Sequence, residues 1–288
     1  MTVAPTPLAV PPRRAVALAR LGVVRYLNTR PLIDGLESLE GLSLRSEVPA
    51  RLIDLLLGGE VDAALCSVVD YQAAPEELVI LPAGALGSFG ETLTVRLFSR
   101  VPFEEVRRLH ADAESHTSVV LARLLLASLH GAAAEVEPWK APASWGGGAL
   151  PECLLLIGDK VVNAAPPEAE YPHQMDLGKA WHRWTGMPFV FATWMTTLRR
   201  AEEARGPLLA LNAVLDHRRR LNRRRLDLIL DADASRRGWP RAEAERYLKE
   251  LLCFSFGPPQ IRAMEHFFER ASQAGLLPRC RPLRLLAG

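Results

Sequence analysis

Two strand-like runs, Thr92–Ser99 (TLTVRLFS) and Phe189–Thr197 (FVFATWMTT), constrain this chain most, because they bracket a separate strand–helix–strand unit. Both are rich in β-branched and aromatic residues, which suit a pleated, buried surface. Ahead of them, Leu21-Gly22-Val23-Val24 reads as a buried first strand, Pro31–Leu36 as a short helix, and residues 43–48 as a second strand. Pro49–Leu57 then reads as a helix stopped by Gly58-Gly59, and Val61–Cys66 as a third strand. Inside the bracket lie a strand at Val106–His110, a helix at Thr117–His130 and a buried strand at Cys153–Ile157. Beyond Leu198, Arg199–Leu221, Arg241–Leu252 and Pro259–Ala274 place apolar residues at helical spacing. This alternation predicts an α/β fold with a mostly parallel sheet. The two crossings predict two hinged lobes with a ligand cleft between them. The expected division is a disordered extension over 1–20, the first part of lobe 1 over 21–96, lobe 2 over 97–190, and a largely helical second part of lobe 1 over 191–288.

Several function classes fall away on composition. A formal charge of +2, from 35 basic and 33 acidic residues, argues against a nucleic-acid partner. No stretch approaches the roughly 18 apolar residues of a membrane span, so no membrane partner is expected. Cys66, Cys153, Cys253 and Cys280 are far apart and form no C-x-x-C pair, which points to reduced thiols. The opening has Pro5, Pro7, Pro11 and Pro12 ahead of Arg13-Arg14, the reverse of a secretory signal, so a cytoplasmic location is expected. A small molecule is the expected partner, and a homodimer stays open.

Several motifs could carry chemistry. Arg25-Tyr26-Leu27-Asn28-Thr29-Arg30-Pro31 follows the first strand, where loops face the ligand crevice of an α/β sheet. It offers the Asn28 amide and the Thr29 hydroxyl, although Asn and Pro also suit a plain turn. Gly84, Gly87 and Gly90 flank Ser88 and Thr94 in what reads as a glycine-rich loop. Ser115-His116-Thr117-Ser118 precedes an apolar-periodic helix, so its hydroxyls cap that helix and its free N–H groups can hold an anion. His116 reads either as a base or as a solvated loop residue. Trp181 and Trp184 share one helical face and read as a packing surface. The run His217–Arg225 keeps an apolar stripe and reads as the solvated face of an amphipathic helix. No histidine pair, nucleophile elbow or P-loop is present, and Asp159 and Asp176 lack the spacing of a metal site, so no metal is expected.

Taken in order, these motifs resemble the chorismate dehydratase family of the futalosine route to menaquinone. The carrying residues are Tyr26–Pro31, Pro49–Leu52 running on to Gly59–Leu65, Leu97–Ser99, Thr117–Val119, Leu156–Asp159, Asp176–Gly178 and Trp184–Ala192. The resemblance spans about Leu21 to Leu277. It implies a periplasmic-binding-protein-like fold of the second type without export, and loss of water from chorismate without a cofactor. On it, Asn28 and Ser88 are the expected catalytic residues, with Thr29, Arg30, Thr94, Ser115, Thr117 and Ser118 binding substrate. The motifs are rich in hydroxyls and amides and poor in titratable groups, which suggests that the substrate's own enolpyruvyl carboxylate takes the C3 proton. The competing readings are a sister enzyme acting on cyclic dehypoxanthine futalosine and a non-catalytic binding protein for a small carboxylate. Phe89 and Glu91 depart from the family pattern in their loop.

Overall fold

The computed structural model describes residues 19–112, 114–140 and 150–287. The chain opens with β1 (Ala19–Val24), α1 (Arg30–Ile33), β2 (Leu42–Glu47), α2 (Pro49–Leu57), β3 (Ala63–Ser67), α3 (Val68–Ala73) and β4 (Leu78–Ser88). It crosses over to β5 (Val95–Ser99), β6 (Arg108–Asp112), α4 (His116–His130), β7 (Glu135–Trp139), β8 (Cys153–Ile157), α5 (Lys160–Asn163), β9 (His173–Asp176) and α6 (Leu177–Thr185). It returns through β10 (Phe189–Thr197) and then α7 (Leu198–Glu203), α8 (Arg205–Arg223), α9 (Leu226–Asp233) and α10 (Arg241–Arg246). A π-helical turn over Tyr247–Leu251, β11 (Leu252–Cys253) and α11 (Pro258–Gln273) complete it.

Two sheets result, ordered β11-β4-β10-β3-β1-β2 and β7-β6-β8-β5-β9. Both are mixed rather than mostly parallel. β1 runs parallel to β2 and β3, but β10 runs antiparallel to β3 and β4 because it re-enters from the second lobe. In the second sheet, β6 is parallel to β7 and β8 while β5 is antiparallel to β8 and β9. Sheet membership moves the expected boundaries slightly. Ala19 and Arg20 open β1 instead of ending the extension, whose remainder lies outside the described residues. Val95 and Arg96 pair in the second sheet, and Phe189 and Val190 in the first.

The strand expected over Thr92–Ser99 starts only at Val95. Leu93 adopts φ 61°, a left-handed conformation costly for a branched side chain. Asp176 holds it there, taking the N–H groups of Thr92 at 3.0 Å and Leu93 at 2.7 Å while also capping α6 through Lys179 N–H at 3.0 Å. Gly84 and Gly87 belong to β4, not to a loop. A Cβ on Gly87 would sit 2.5 Å from the Phe189 carbonyl oxygen, so glycine is what lets β4 approach β10 there. Next to Gly84 the β4–β10 register slips, and Arg219 Nε donates to the freed Ala83 carbonyl at 3.0 Å. Part of the arginine run thus caps a bulge instead of facing water. The tryptophan pair packs as expected: Trp181 is fully buried, meets Trp184 edge-on and donates to the Pro188 carbonyl at 3.0 Å.

Apolar residues of α2 (Leu52, Ile53, Leu55 and Leu56) cover the first sheet, and α4 buries Leu121, Leu124 and Leu125 against the second. A separate cluster of Leu27, Leu230, Trp239, Tyr247 and Leu248 joins the late helices to the loop after β1. Asp62 ties three elements together. It accepts from Arg20 N–H at 2.8 Å and Arg20 Nε at 3.2 Å, and pairs with Arg200 at 3.0 Å. Burial works against its carboxylate, but Arg20 and Arg200 outweigh burial and hold its carboxyl below the usual range. A depressed carboxyl adds stability above its unfolded value, about 3.9, and loses it as pH falls through the folded value. Asp62→Asn is therefore expected to cost about 1–3 kcal/mol in urea unfolding at pH 7, and the gap to wild type should narrow towards pH 3.

Candidate functional site

A cavity of about 50 Å³ lies between the two lobes, the kind of place where small-molecule sites form. The first lobe supplies Asn28, from the 3₁₀ turn after β1, and Ser67, at the C-terminal end of β3. Both stand outside the carboxyl ends of parallel strands, where open α/β sheets bind ligands. The crossing segment contributes Thr92 and Thr94, and the second lobe contributes Ser115, Ser118 and Gly158. Tyr247 closes the cavity from the π-helical turn, a geometry that recurs at functional sites. No carboxylate, imidazole, ammonium or guanidinium belongs to any described residue lining this space.

The expected site residues divide in two. Asn28, Thr94, Ser115 and Ser118 come together around the cavity. Thr29, Arg30, Ser88 and Thr117 do not line it. Thr29 is fully buried and donates to Asn28 Oδ1 at 3.2 Å, which orients the amide. Arg30 turns outward to Asp233 at 2.7 Å and Asp34. Ser88 is fully buried and donates to the Gly90 carbonyl at 3.1 Å beneath Gly178. Thr117 Oγ1 accepts the Val69 N–H at 3.3 Å and so ties α4 to α3 across the lobes.

The first turn of α4 reaches the cavity through Ser115 and Ser118. Ser115 is its N-cap, accepting Ser118 N–H at 3.2 Å and donating to Ser118 Oγ at 2.8 Å. The leading N–H groups and the helix dipole favour a carboxylate placed at this end. His116 points the other way, onto a groove between α2, α3 and β7, where its Nδ1 meets Asp70 Oδ1 at 2.6 Å. That hydrogen bond outweighs burial and raises the imidazole above its usual value, and His116 lies outside the cavity lining. Glu91 is also spent, on Arg246 at 2.6 Å and Arg96 at 3.8 Å.

Reading the motifs missed Ser67, Thr92, Tyr26 and Tyr247. Ser67 follows a strand just as Asn28 does, and the same crevice rule applied to β3 would have found it. Tyr247 lies more than 200 residues from Asn28 and carries no local motif. Tyr26 lies flat over Gly158, whose Cβ would fall 2.8 Å from the ring, so only glycine admits this contact between lobes. Tyr26 and Arg25 on one lobe both reach Glu114 on the other, and Lys160 pairs with Glu114 at 2.8 Å. Burial opposes the Glu114 carboxylate, but Lys160, Tyr26 and Arg25 outweigh it and hold the carboxyl below its usual range. This latch is complete above that depressed value and opens as pH falls through it. Glu114→Ala is expected to raise the radius of gyration in small-angle scattering at pH 7, as acid should for the wild type.

Comparison with known proteins fits this geometry. A family model described as menaquinone biosynthesis matches residues 19–273. The chorismate dehydratase of Thermus thermophilus is 34% identical over 245 residues, covering 79% of this chain and 86% of that protein. Among solved structures, the periplasmic aliphatic sulphonate binding protein SsuA from Escherichia coli aligns with a TM-score of 0.62 at 15% identity, covering 91% of this chain and 94% of its own. The alkanesulfonate-binding SsuA from Xanthomonas axonopodis pv. citri, bound to MOPS, aligns with a TM-score of 0.62 at 16% identity, covering 90% and 94%. At such identities these likenesses speak for the fold alone, which is the type II periplasmic-binding-protein-like fold with its cleft between two lobes. By the family match and the Thermus relative, the chain belongs to the chorismate dehydratase family of menaquinone biosynthesis.

Proposed function

We propose that this protein is a chorismate dehydratase, eliminating water from chorismate to give 3-[(1-carboxyvinyl)oxy]benzoate. The observation that carries the reading, beside the family, is a cavity between the lobes where amide and hydroxyl groups stand among apolar side chains, with no charged side chain among the described lining residues. A dicarboxylate suits it. One carboxylate meets the Ser115–Ser118 turn and the α4 N-terminus, and the other lies towards Thr92 and Thr94. Asn28, oriented by Thr29, holds the ring in register.

The chemistry needs a base at C3 and a place for the departing C4 oxygen. The lining carries no carboxylate or imidazole, which supports the substrate's own enolpyruvyl carboxylate as the base. Aromatisation drives the elimination forward, so the chain's task is orientation and exclusion of water. The unpaired state of all four cysteines supports a reducing compartment, and we place the enzyme in the cytoplasm on that basis.

Incubating the pure protein with chorismate and following the aromatic product tests the assignment. Formation of 3-[(1-carboxyvinyl)oxy]benzoate is expected. Binding of chorismate without turnover would instead favour a binding protein. Asn28→Asp puts a charge beside an anion and is expected to lower kcat by about 10²-fold or more. Ser115→Ala removes the cap and should raise KM about tenfold, with about 1 kcal/mol lost from stability.

A further inference from the structure

The cavity holds two phenols, and their surroundings set them apart. The Tyr26 hydroxyl is engaged by Glu114 at the rim. The Tyr247 hydroxyl lies inside, 2.5 Å from Thr94 Oγ1 and beside the Asn28 amide. Thr29 O–H occupies Asn28 Oδ1, which turns the amide NH₂ towards Tyr247. Thr94 Oγ1 lies 3.5 Å from the Thr92 carbonyl, long for a hydroxyl donor, and 2.5 Å from the Tyr247 hydroxyl, where either oxygen can donate. With Asn28 donating to the phenol oxygen and Thr94 able to do the same, the phenol O–H can turn into the cavity.

The ring is as firmly held as the hydroxyl. It stacks on Trp239 with centroids 4.9 Å apart and planes 11° from parallel, and Trp239 Nε1 donates to Asp159 Oδ1 at 3.0 Å. The π-helical turn that begins at Tyr247 brings this side chain from the late helices across the cleft.

Resting on the dehydratase reading, we infer that Tyr247 is a catalytic residue, the hydrogen-bond donor that receives the departing C4 oxygen of chorismate. The C3–H bond breaks, and its electron pair forms the ring double bond as the C4–O bond breaks. The oxygen leaves with its electron pair and takes up the proton released from C3, by way of the enolpyruvyl carboxyl, to become water. Tyr247 keeps its own proton and stabilises the charge growing on that oxygen, as preorganised donors do elsewhere. Burial pushes its phenol well above the ordinary value, which suits a donor that must not ionise beside an anion.

Tyr247→Phe keeps the ring, its stacking on Trp239 and the fold while deleting the donor. In an assay where the wild type converts chorismate, kcat is expected to fall about 10²-fold. KM for chorismate and Kd for the aromatic product, which has lost the oxygen in question, should stay within about threefold of wild type. A kcat within about threefold of wild type, or a product Kd rising in step with the loss of kcat, overturns the inference. Wild-type turnover in parallel separates the two ideas: its absence would remove the dehydratase assignment itself.

Discussion

The arrangement turns on burying the N-terminus of α4 between the lobes. A helix begins with N–H groups that have no partner inside it, and leaving them dry and unpaired is costly. Here Ser115 takes the Ser118 N–H, and both serines line the cavity. The same turn joins the lobes: Ala50 N–H donates to the Glu114 carbonyl at 3.0 Å, and Thr117 accepts from Val69. The contacts that join the lobes therefore also bring the Ser115–Ser118 turn to the cavity. Gly158 and Tyr26 complete it from the far wall.

The charges are placed with equal economy. Arg25, Lys160 and Glu114 latch the lobes at the rim, where water still screens them. Asp159 and Asp176 sit deeper, and burial raises both carboxyls, but Asp159 is committed to the Leu27 and Trp239 N–H groups and Asp176 to those of Thr92, Leu93 and Lys179. The cavity itself stays neutral. No described residue lining it carries a cation.

Much of the fold was legible, for identifiable reasons. Phe189–Thr197 and Cys153–Ile157 match their strands residue for residue because both are buried on every side and read as unbroken apolar runs. β4 escaped notice because Gly84 and Gly87 resemble a loop locally. Their need arises from a bulge and a close backbone approach to β10, contacts made about 100 residues away. Leu93 broke an expected strand for a similar reason: its left-handed backbone is imposed by Asp176. In the site, Asn28 and the Ser115–Ser118 turn were legible because turn and cap chemistry is local. Ser88, Thr117 and Arg30 lie outside the cavity lining, and their hydroxyl or charge meets a structural partner that sequence alone does not reveal. Tyr247 depends on the packing of the late helices and leaves no mark near the motifs.

The central claim is a site that works without an ionisable protein base, and the pH profile of kcat with chorismate tests it most directly. The account predicts a rate level from about pH 6 to 9 that falls only in acid, where the substrate's carboxylate takes up its proton. A limb near neutral pH that disappears on replacing His116 with asparagine would contradict it.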